Sequence, residues 1–100
     1  MTTARLRAIP TVQVENERIK VTEWRFAREA ETGWHRHDYD YVVVPLTGGI
    51  LLLETSDGSS VSELFFGKSY FRRSGVEHNV VNASEGEYVF IEVELKLPAR

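Results

Sequence analysis

The pattern that most constrains the fold of this chain is a series of short segments in which apolar and polar residues alternate. Alternation with a period of two, interrupted by turn residues, is typical of β-strands that bury one face. The segment 27–32 could form at most one helical turn, which is too short to be stable alone. The pattern therefore predicts an all-β sandwich, jelly roll or barrel. We expect its strands at residues 17–27, 41–44, 50–55, 61–66, 69–72, 78–82 and 88–97.

The length and the turn residues of the chain indicate a single domain. Its 100 residues fall within the usual size of one compact unit. We expect residues 1–10 to form an N-terminal arm or an edge strand, and residues 11–98 to form the barrel. The sequence Ser56-Asp57-Gly58 predicts a tight hairpin turn between two of the strands.

The composition excludes several classes of function. The net charge is −3 and the arginines are scattered among acidic and apolar residues, so we expect no nucleic-acid partner. The chain has no cysteine, which rules out disulfides and thiolate-ligated metals. The first residues lack the apolar core of a signal peptide, and no segment has the roughly 18 apolar residues of a membrane span. We therefore expect a cytoplasmic protein with no membrane partner.

Two histidines separated by one residue carry the strongest chemical signal. His35 and His37 would point to the same face of a strand, because side chains alternate across it. Two imidazoles on one face can converge on a first-row divalent metal. A third imidazole would have to come from His78, because the chain has three histidines in all. For a His-x-His pair alone, exposed or hydrogen-bonded structural histidines are the simpler explanation.

The residues around the pair resemble the first sequence motif of the cupin family, G-x5-H-x-H-x3,4-E-x6-G. The chain supplies His35 and His37, then three residues, then Tyr41 where the motif has glutamate, then six residues and Gly48. It departs from the motif a second time, because Glu29 stands where the first glycine is expected.

The second cupin motif, G-x5-P-x-G-x2-H-x3-N, is matched further along the chain. Gly67, Gly75, His78 and Asn82 stand at the motif positions with the motif spacing. Arg73 replaces the turn proline. The match places the third histidine at the family's third ligand position. Within the family, the segments GWHRHDYDYVVVPLTGG and SYFRRSGVEHNVVN are similar to small bacterial cupins associated with β-alanine degradation.

The resemblance implies a cupin-type jelly-roll β-barrel whose three histidines, His35, His37 and His78, hold a divalent ion of iron, nickel, zinc or manganese. With Tyr41 in place of the glutamate, the site is similar to three-histidine cupin dioxygenases, which bind ferrous iron without a carboxylate. Tyr41 would then be a catalytic residue that donates a hydrogen bond to a ligand or to bound oxygen. The implied function is that of a metal-dependent, dioxygenase-type oxidoreductase acting on a small polar or anionic molecule.

Three alternatives stay open from the sequence. Asp38 or Asp40 could replace the missing glutamate, but both have the wrong parity for a regular strand through His37. The metal could act as a Lewis acid in an isomerase or lyase, because nitrogen ligands accept most first-row divalent ions. The chain could also be a cupin that binds a small ligand without catalysis.

Four further residues are candidates for binding the substrate. Arg72 or Arg25, if its side chain points inward, would pair with a carboxylate through its two-pronged guanidinium group. The simpler explanation is that each is an ordinary surface arginine. Which face of the strand that carries Arg25 is buried cannot be read from its alternation. Trp34, next to His35, is either a residue at the rim of the barrel mouth or a packing residue, and Tyr39 shares the parity of the histidines.

The size of the domain and the resemblance favour a homodimer. A small two-sheet domain has exposed strand edges, which oligomers commonly cover. Glu92 and Glu94 alternate with apolar residues in the last strand, and we expect them to face solvent or the dimer partner.

Overall fold

The fold consists of nine β-strands in the part of the chain that the computed structural model describes, residues 4–96. The all-β prediction is thereby confirmed, and no helix of this range could cross a membrane. Residues 1–3 of the expected arm and residues 97 and 98 of the expected barrel lie outside the described residues. In chain order the strands are β1 (Ile9–Glu15), β2 (Ile19–Phe26), β3 (His35–Arg36), β4 (Asp40–Pro45), β5 (Gly49–Thr55), β6 (Gly58–Leu64), β7 (Tyr70–Arg72), β8 (Glu77–Asn82) and β9 (Tyr88–Leu95).

The strands form two antiparallel sheets. One sheet has five strands in the order β1-β2-β9-β4-β7, and the other has four in the order β3-β8-β5-β6. From β2 onward every consecutive pair of strands except β5 and β6 lies in different sheets, so the chain crosses repeatedly between them, as it does in a jelly roll. The two sheets do not close into a continuous cylinder of hydrogen-bonded strands. The jelly-roll prediction is confirmed in this form.

The inner face of the five-stranded sheet carries an aromatic core. Phe26, Tyr88 and Phe90 are all less than 5% exposed. The Phe26 ring lies 5.5 Å from the Phe90 ring and 6.2 Å from the Tyr88 ring, between ring centres. Burying one such side chain contributes about 1.5–3 kcal/mol. The strand register pairs Phe26 with Tyr88 and thereby fixes which residues of β2 and β9 face inward.

The hairpin between β5 and β6 turns where the sequence predicted it. Thr55 pairs with Gly58, and the hydroxyl oxygen of Thr55 accepts a hydrogen bond from the Asp57 N–H at 3.2 Å. Gly58 has a φ of 124°, a backbone conformation that disfavours side chains with a Cβ. The Asp-Gly signal therefore marks a real conformational requirement.

The first strand extends beyond the expected arm. β1 contains residues on both sides of the expected boundary at residue 10 and pairs with β2, with an irregularity in register between Val12 and Val14. The turn that follows is closed by Asn16, whose side-chain oxygen accepts hydrogen bonds from the N–H groups of Arg18 and Ile19 at 2.8 and 3.0 Å. β1 is thus an edge strand of the larger sheet.

Candidate metal centre

The three histidines meet because β3 and β8 are hydrogen-bonded neighbours. The strand register places His35 directly opposite His78. His37 lies just beyond the end of β3, yet its backbone remains attached to the segment before β8. Its N–H donates to the Val76 carbonyl at 2.9 Å, and its carbonyl accepts from the Gly75 N–H at 2.7 Å. A two-residue strand and one turn therefore position all three imidazoles.

The three Nε2 atoms converge on one point. The Nε2 of His37 lies 3.0 Å from that of His35 and 3.1 Å from that of His78. Two nitrogen ligands that each bind one cation at about 2.0–2.1 Å lie about 3 Å apart from each other, which matches the observed Nε2–Nε2 distances. The histidine nitrogens also form a group that could hold a metal ion. The donor set therefore fits a first-row divalent metal.

The hydrogen bonds of His35 orient its ring toward this point. Its Nδ1 lies 2.8 Å from the Gly33 carbonyl oxygen, which can only accept a hydrogen bond. Nδ1 therefore carries the proton, and the Nε2 lone pair points at the centre. Gly33 is held in turn by the side chain of Asn79, whose Oδ1 accepts its N–H at 2.9 Å. With a φ of 90°, Gly33 has a backbone conformation that residues with a Cβ rarely adopt.

Burial keeps the imidazoles of His37 and His78 neutral. Desolvation, with a smaller contribution from His35, lowers the pKa of His37 to about 3. The same causes lower the pKa of His78 to about 4. Neutral imidazole is the form that binds a metal, so both side chains can bind over the whole physiological pH range.

Tyr41 packs directly on the centre. Its ring is nearly parallel to the His37 ring, with an interplanar angle of 18° and 3.9 Å between ring centres. Burial, together with the nearby Glu92, raises the pKa of its hydroxyl group above the ordinary value. Tyr41 therefore presents a protonated phenol, which can donate a hydrogen bond and is a poor anionic ligand.

The histidines form part of the wall of a cavity of about 230 Å³ between the sheets. Its size suits a small molecule rather than a polymer. Aliphatic and aromatic side chains cover much of the wall, and a few polar groups interrupt them. The other lining residues are Trp24, Thr32, Tyr41, Val43, Leu51, Leu53, Thr55, Ser60, Tyr70, Arg72, Val76, Val80, Phe90 and Glu92.

Comparison with known proteins identifies the family. No protein-family model matches the chain. The β-alanine degradation protein BauB of Pseudomonas aeruginosa PAO1 is 62% identical over 92 residues, which are 92% of this chain and 97% of that protein. The crystal structure of a cupin domain from Bordetella pertussis Tohama I is 61% identical, covers 96% of this chain and 100% of its own, and gives a TM-score of 0.93. The chain is a cupin.

More distant structures share the fold of this cupin. A protein from Klebsiella pneumoniae with a double-stranded β-helix domain is 19% identical and covers 95% of this chain and 82% of its own, with a TM-score of 0.76. An RmlC-like cupin from Shewanella frigidimarina is 23% identical and covers 91% of this chain and 76% of its own, with a TM-score of 0.66.

Of the residues expected to bind a substrate, the structure of this cupin places Arg72 at the cavity and three others elsewhere. The Arg72 guanidinium lies over the Tyr70 ring, 5.3 Å from its centre, and both residues line the cavity. Arg25 points to the opposite face of its sheet, where it pairs with Glu87 at 2.7 Å. The register of β2 turns Trp24 and Phe26 inward, which turns Arg25 outward.

Trp34 and Tyr39 also lie outside the cavity of this cupin, with exposed fractions of 57% and 39%. Tyr39 does not follow the parity of the histidines because β3 ends at Arg36 and the next strand begins only at residue 40. The aspartates offer no replacement for the glutamate. Asp38 is exposed, and the side chain of Asp40 accepts the Ser74 N–H at 2.8 Å.

The expectation that Glu92 faces solvent or a dimer partner is wrong. Its side chain is 7% exposed and lines the cavity of this cupin. Burial, followed by the nearby charge of Glu94, raises the pKa of Glu92 to about 7. The sequence did contain a signal, because Glu92 shares its strand parity with the large aromatic residues Tyr88 and Phe90. The apolar residues on the other face of β9 concealed that signal.

Proposed function

We propose that this cupin is a metal-dependent oxidoreductase of the dioxygenase type, acting on a small anionic molecule. The observation that carries the proposal is the convergence of the three Nε2 atoms, with separations of 3.0 and 3.1 Å, at the wall of a small cavity. We assign His35, His37 and His78 as the metal ligands. A bound ferrous ion would supply open coordination positions for substrate and dioxygen.

The cavity residues have distinct tasks in this proposal. The histidines bind as neutral ligands and therefore do not reduce the positive charge of the ion. That charge favours an anionic substrate. Arg72 anchors that anion with its guanidinium group. Tyr41 donates a hydrogen bond toward the reacting molecule. The apolar walls exclude water around the buried Tyr41, which strengthens the interaction of its hydroxyl group.

The name of one relative suggests a process for this cupin. The Pseudomonas protein that is 62% identical is called a β-alanine degradation protein. We infer that this cupin acts in the same process, on a short molecule that carries a carboxylate. A chain of a few carbons fits a cavity of about 230 Å³.

Two measurements test the metal and the reaction. Elemental mass spectrometry of the purified, untagged protein is expected to find close to one divalent ion per chain. A variant with His35, His37 and His78 all changed to alanine is expected to have lost it. Oxygen consumption by the iron-loaded protein with short carboxylates then distinguishes the reaction types. Turnover without oxygen would indicate isomerase or lyase chemistry, and binding without turnover would indicate a ligand-binding cupin; either result contradicts the dioxygenase proposal.

The role of Arg72 is tested with a matched arginine pair. In the cobalt-loaded protein, propionate binding can be followed by the change in the cobalt absorption spectrum. Arg72→Ala is expected to weaken binding at least about tenfold, because a charge-assisted hydrogen bond contributes about 1.5–3 kcal/mol. Arg25→Ala removes the same charge from the outer face and should leave the affinity unchanged. Equal effects of the two changes would contradict the assignment.

A further inference from the structure

Glu92 is a buried carboxylate that the function proposed above does not use. Its side chain is 7% exposed. Among residues 4–96 it takes part in no ion pair. A carboxylate in such surroundings is destabilising unless a cation or several hydrogen-bond donors compensate for its lost hydration. The protein therefore maintains within its cavity an acidic group that has no ion-pair partner among residues 4–96 and whose lost hydration a hydrogen bond from Trp24 and the charge of Lys20 offset only in part.

The strand register prevents Glu92 from moving out to solvent. β9 is the central strand of the five-stranded sheet. Glu92 is flanked on one side by Thr22 of β2 and on the other by Val43 of β4. Neither neighbour carries a charge, and both belong to paired strands. The carboxylate consequently remains on the cavity side of the sheet.

The proposed metal ligand His37 lies close to Glu92 in space. One ligand atom each from His37, Glu92 and Glu94 lie within 4.8 Å of one another. His37 also belongs to the three-histidine group. The Glu92 carboxylate therefore lies beside His37, within 4.8 Å of one of its ring nitrogens, and His37 is one of the three proposed ligands. Opposite charges a few ångströms apart in a poorly hydrated cavity attract each other strongly.

We propose that Glu92 is the carboxylate of the metal centre, supplying from β9 the negative charge that Tyr41 does not supply at the motif position. This inference rests on the proposed three-histidine centre. Glu94 is less suited to the role, because it is partly exposed and the strand register places Lys20 opposite it. With Glu92 ionised, the three neutral histidines and one dication form a centre of net charge +1 rather than +2.

Cobalt affinity provides a test that does not depend on activity. Co²⁺ is titrated into the metal-free full-length protein in competition with a chelating indicator, for the wild type and for Glu92→Gln. The substitution keeps the shape of the side chain and removes its charge. We expect the affinity to fall about 10–100-fold, the range typical of groups that support a metal site without being its principal ligands. Glu23→Gln, on the outer face of the neighbouring strand, and Glu94→Gln should retain affinity within about threefold of the wild type.

The outcomes separate the two proposals. If the wild type binds no Co²⁺, the three-histidine centre itself is wrong and this inference fails with it. If the wild type binds and Glu92→Gln binds equally well, or if Glu94→Gln shows the larger loss, only the assignment of Glu92 is overturned. Thermal denaturation of the metal-free proteins completes the test. Glu92→Gln should melt no lower than the wild type, because it removes an unpaired buried charge; a lower midpoint would mark Glu92 as a structural residue and overturn the proposal.

Discussion

At the scale of single residues, Tyr41 is the position at which this cupin departs most from the family motif. Its ring lies flat against the His37 imidazole at 3.9 Å, where it holds that ring in place. Its burial disfavours the phenolate, since it raises the pKa of the hydroxyl group. Tyr41, which replaces a charged ligand of the family motif, thus packs against the site as an uncharged side chain.

Substitutions of Tyr41 should distinguish the packing role of its ring from the role of its hydroxyl group. Tyr41→Phe keeps the stacked ring, so Co²⁺ affinity is expected to stay within about threefold of the wild type. Tyr41→Ala removes a large buried ring and is expected to lower the free energy of unfolding by about 3–5 kcal/mol. Cobalt titration and urea denaturation measure the two effects. Loss of the metal in Tyr41→Phe would show instead that the oxygen atom is a ligand.

The buried histidines should make the metal-free protein sensitive to acid. Their pKa values, about 3 for His37 and about 4 for His78, lie below the ordinary value of 6.5. The unfolded chain therefore binds protons first as the pH falls, and stability decreases between about pH 6.5 and pH 4. The slope approaches about 1.4 kcal/mol per pH unit for each histidine.

Urea denaturation of chelator-treated protein at pH 7 and pH 5 measures this loss. The raised pKa of Glu92 acts in the opposite direction between pH 4.5 and about 7. The comparison must therefore be made against a variant with both His37 and His78 changed to asparagine, which keeps Glu92. The wild type should lose more stability than this variant between the two pH values. Parallel losses would contradict the lowered histidine pKa values.

At the scale of the elements, Asn82 at the end of β8 joins three parts of the fold. It is fully buried, and its Nδ2 donates to the carbonyls of Phe26, Ala27 and Gly86 at 3.3, 3.2 and 2.8 Å. Its Oδ1 accepts the Ser84 N–H at 2.9 Å. One amide side chain therefore ties the end of β2 to the turn between β8 and β9.

Removing this amide should destabilise the fold well away from the metal. Asn82→Ala leaves one buried and two partly buried carbonyls without their donor and is expected to lower the free energy of unfolding by about 2–4 kcal/mol. Asn16→Ala, in the exposed β1–β2 turn, removes a similar side chain and should lower it by about 1 kcal/mol or less. Urea denaturation compares the two variants. Similar losses would contradict the special role of the buried position.

The sequence predicted elements well where alternation was regular and turn residues were clear. β4, β5, β7 and β8 lie within a residue or two of the expected segments, and Ser56-Asp57-Gly58 turns as expected. β1 was not predicted as a strand that pairs along its length, because all seven of its residues are exposed and its apolar pattern is weak. Pairing with β2, rather than burial, holds it.

The candidate site was predictable only where the sequence pattern was regular. The three histidines could be found because motif spacing and strand parity agreed. The sequence did not decide the face of Arg25 and predicted the wrong face for Glu92, because both faces of β2 and β9 carry apolar residues and alternation alone does not reveal which face is inward. Only the register between the strands decides it. The prediction for Tyr39 was wrong because side-chain parity holds only within one continuous strand, and the chain is not in a strand between Arg36 and Asp40.

At the scale of the whole molecule, the outer strand β1 is the surface best suited to a second copy of the chain. It forms one edge of the larger sheet, and its apolar residues Ile9, Val12 and Val14 are 63%, 49% and 45% exposed. Exposed strand edges with apolar side chains favour pairing with another chain. We therefore predict a homodimer that pairs along β1.

Light scattering coupled to gel filtration checks this prediction with a matched pair of variants. Val12→Lys places a charge on the exposed edge and should shift the protein from dimer to monomer. Val61→Lys makes the same change on β6, an edge strand of the other sheet whose Val61 is 69% exposed, and should leave the dimer intact. A monomeric wild type would refute the prediction outright.

The position of His37 and His78, 41 residues apart in the chain and 3.1 Å apart between their Nε2 atoms, gives a bound metal a second consequence. An ion held by both would cross-link two distant segments of a chain that has no cysteine. Such a link closes a long loop in the unfolded chain and so disfavours unfolding, as a disulfide does. Unlike a disulfide, it forms and breaks with the supply of the ion. The lifetime of the folded protein would then follow the metal status of the cell that makes it.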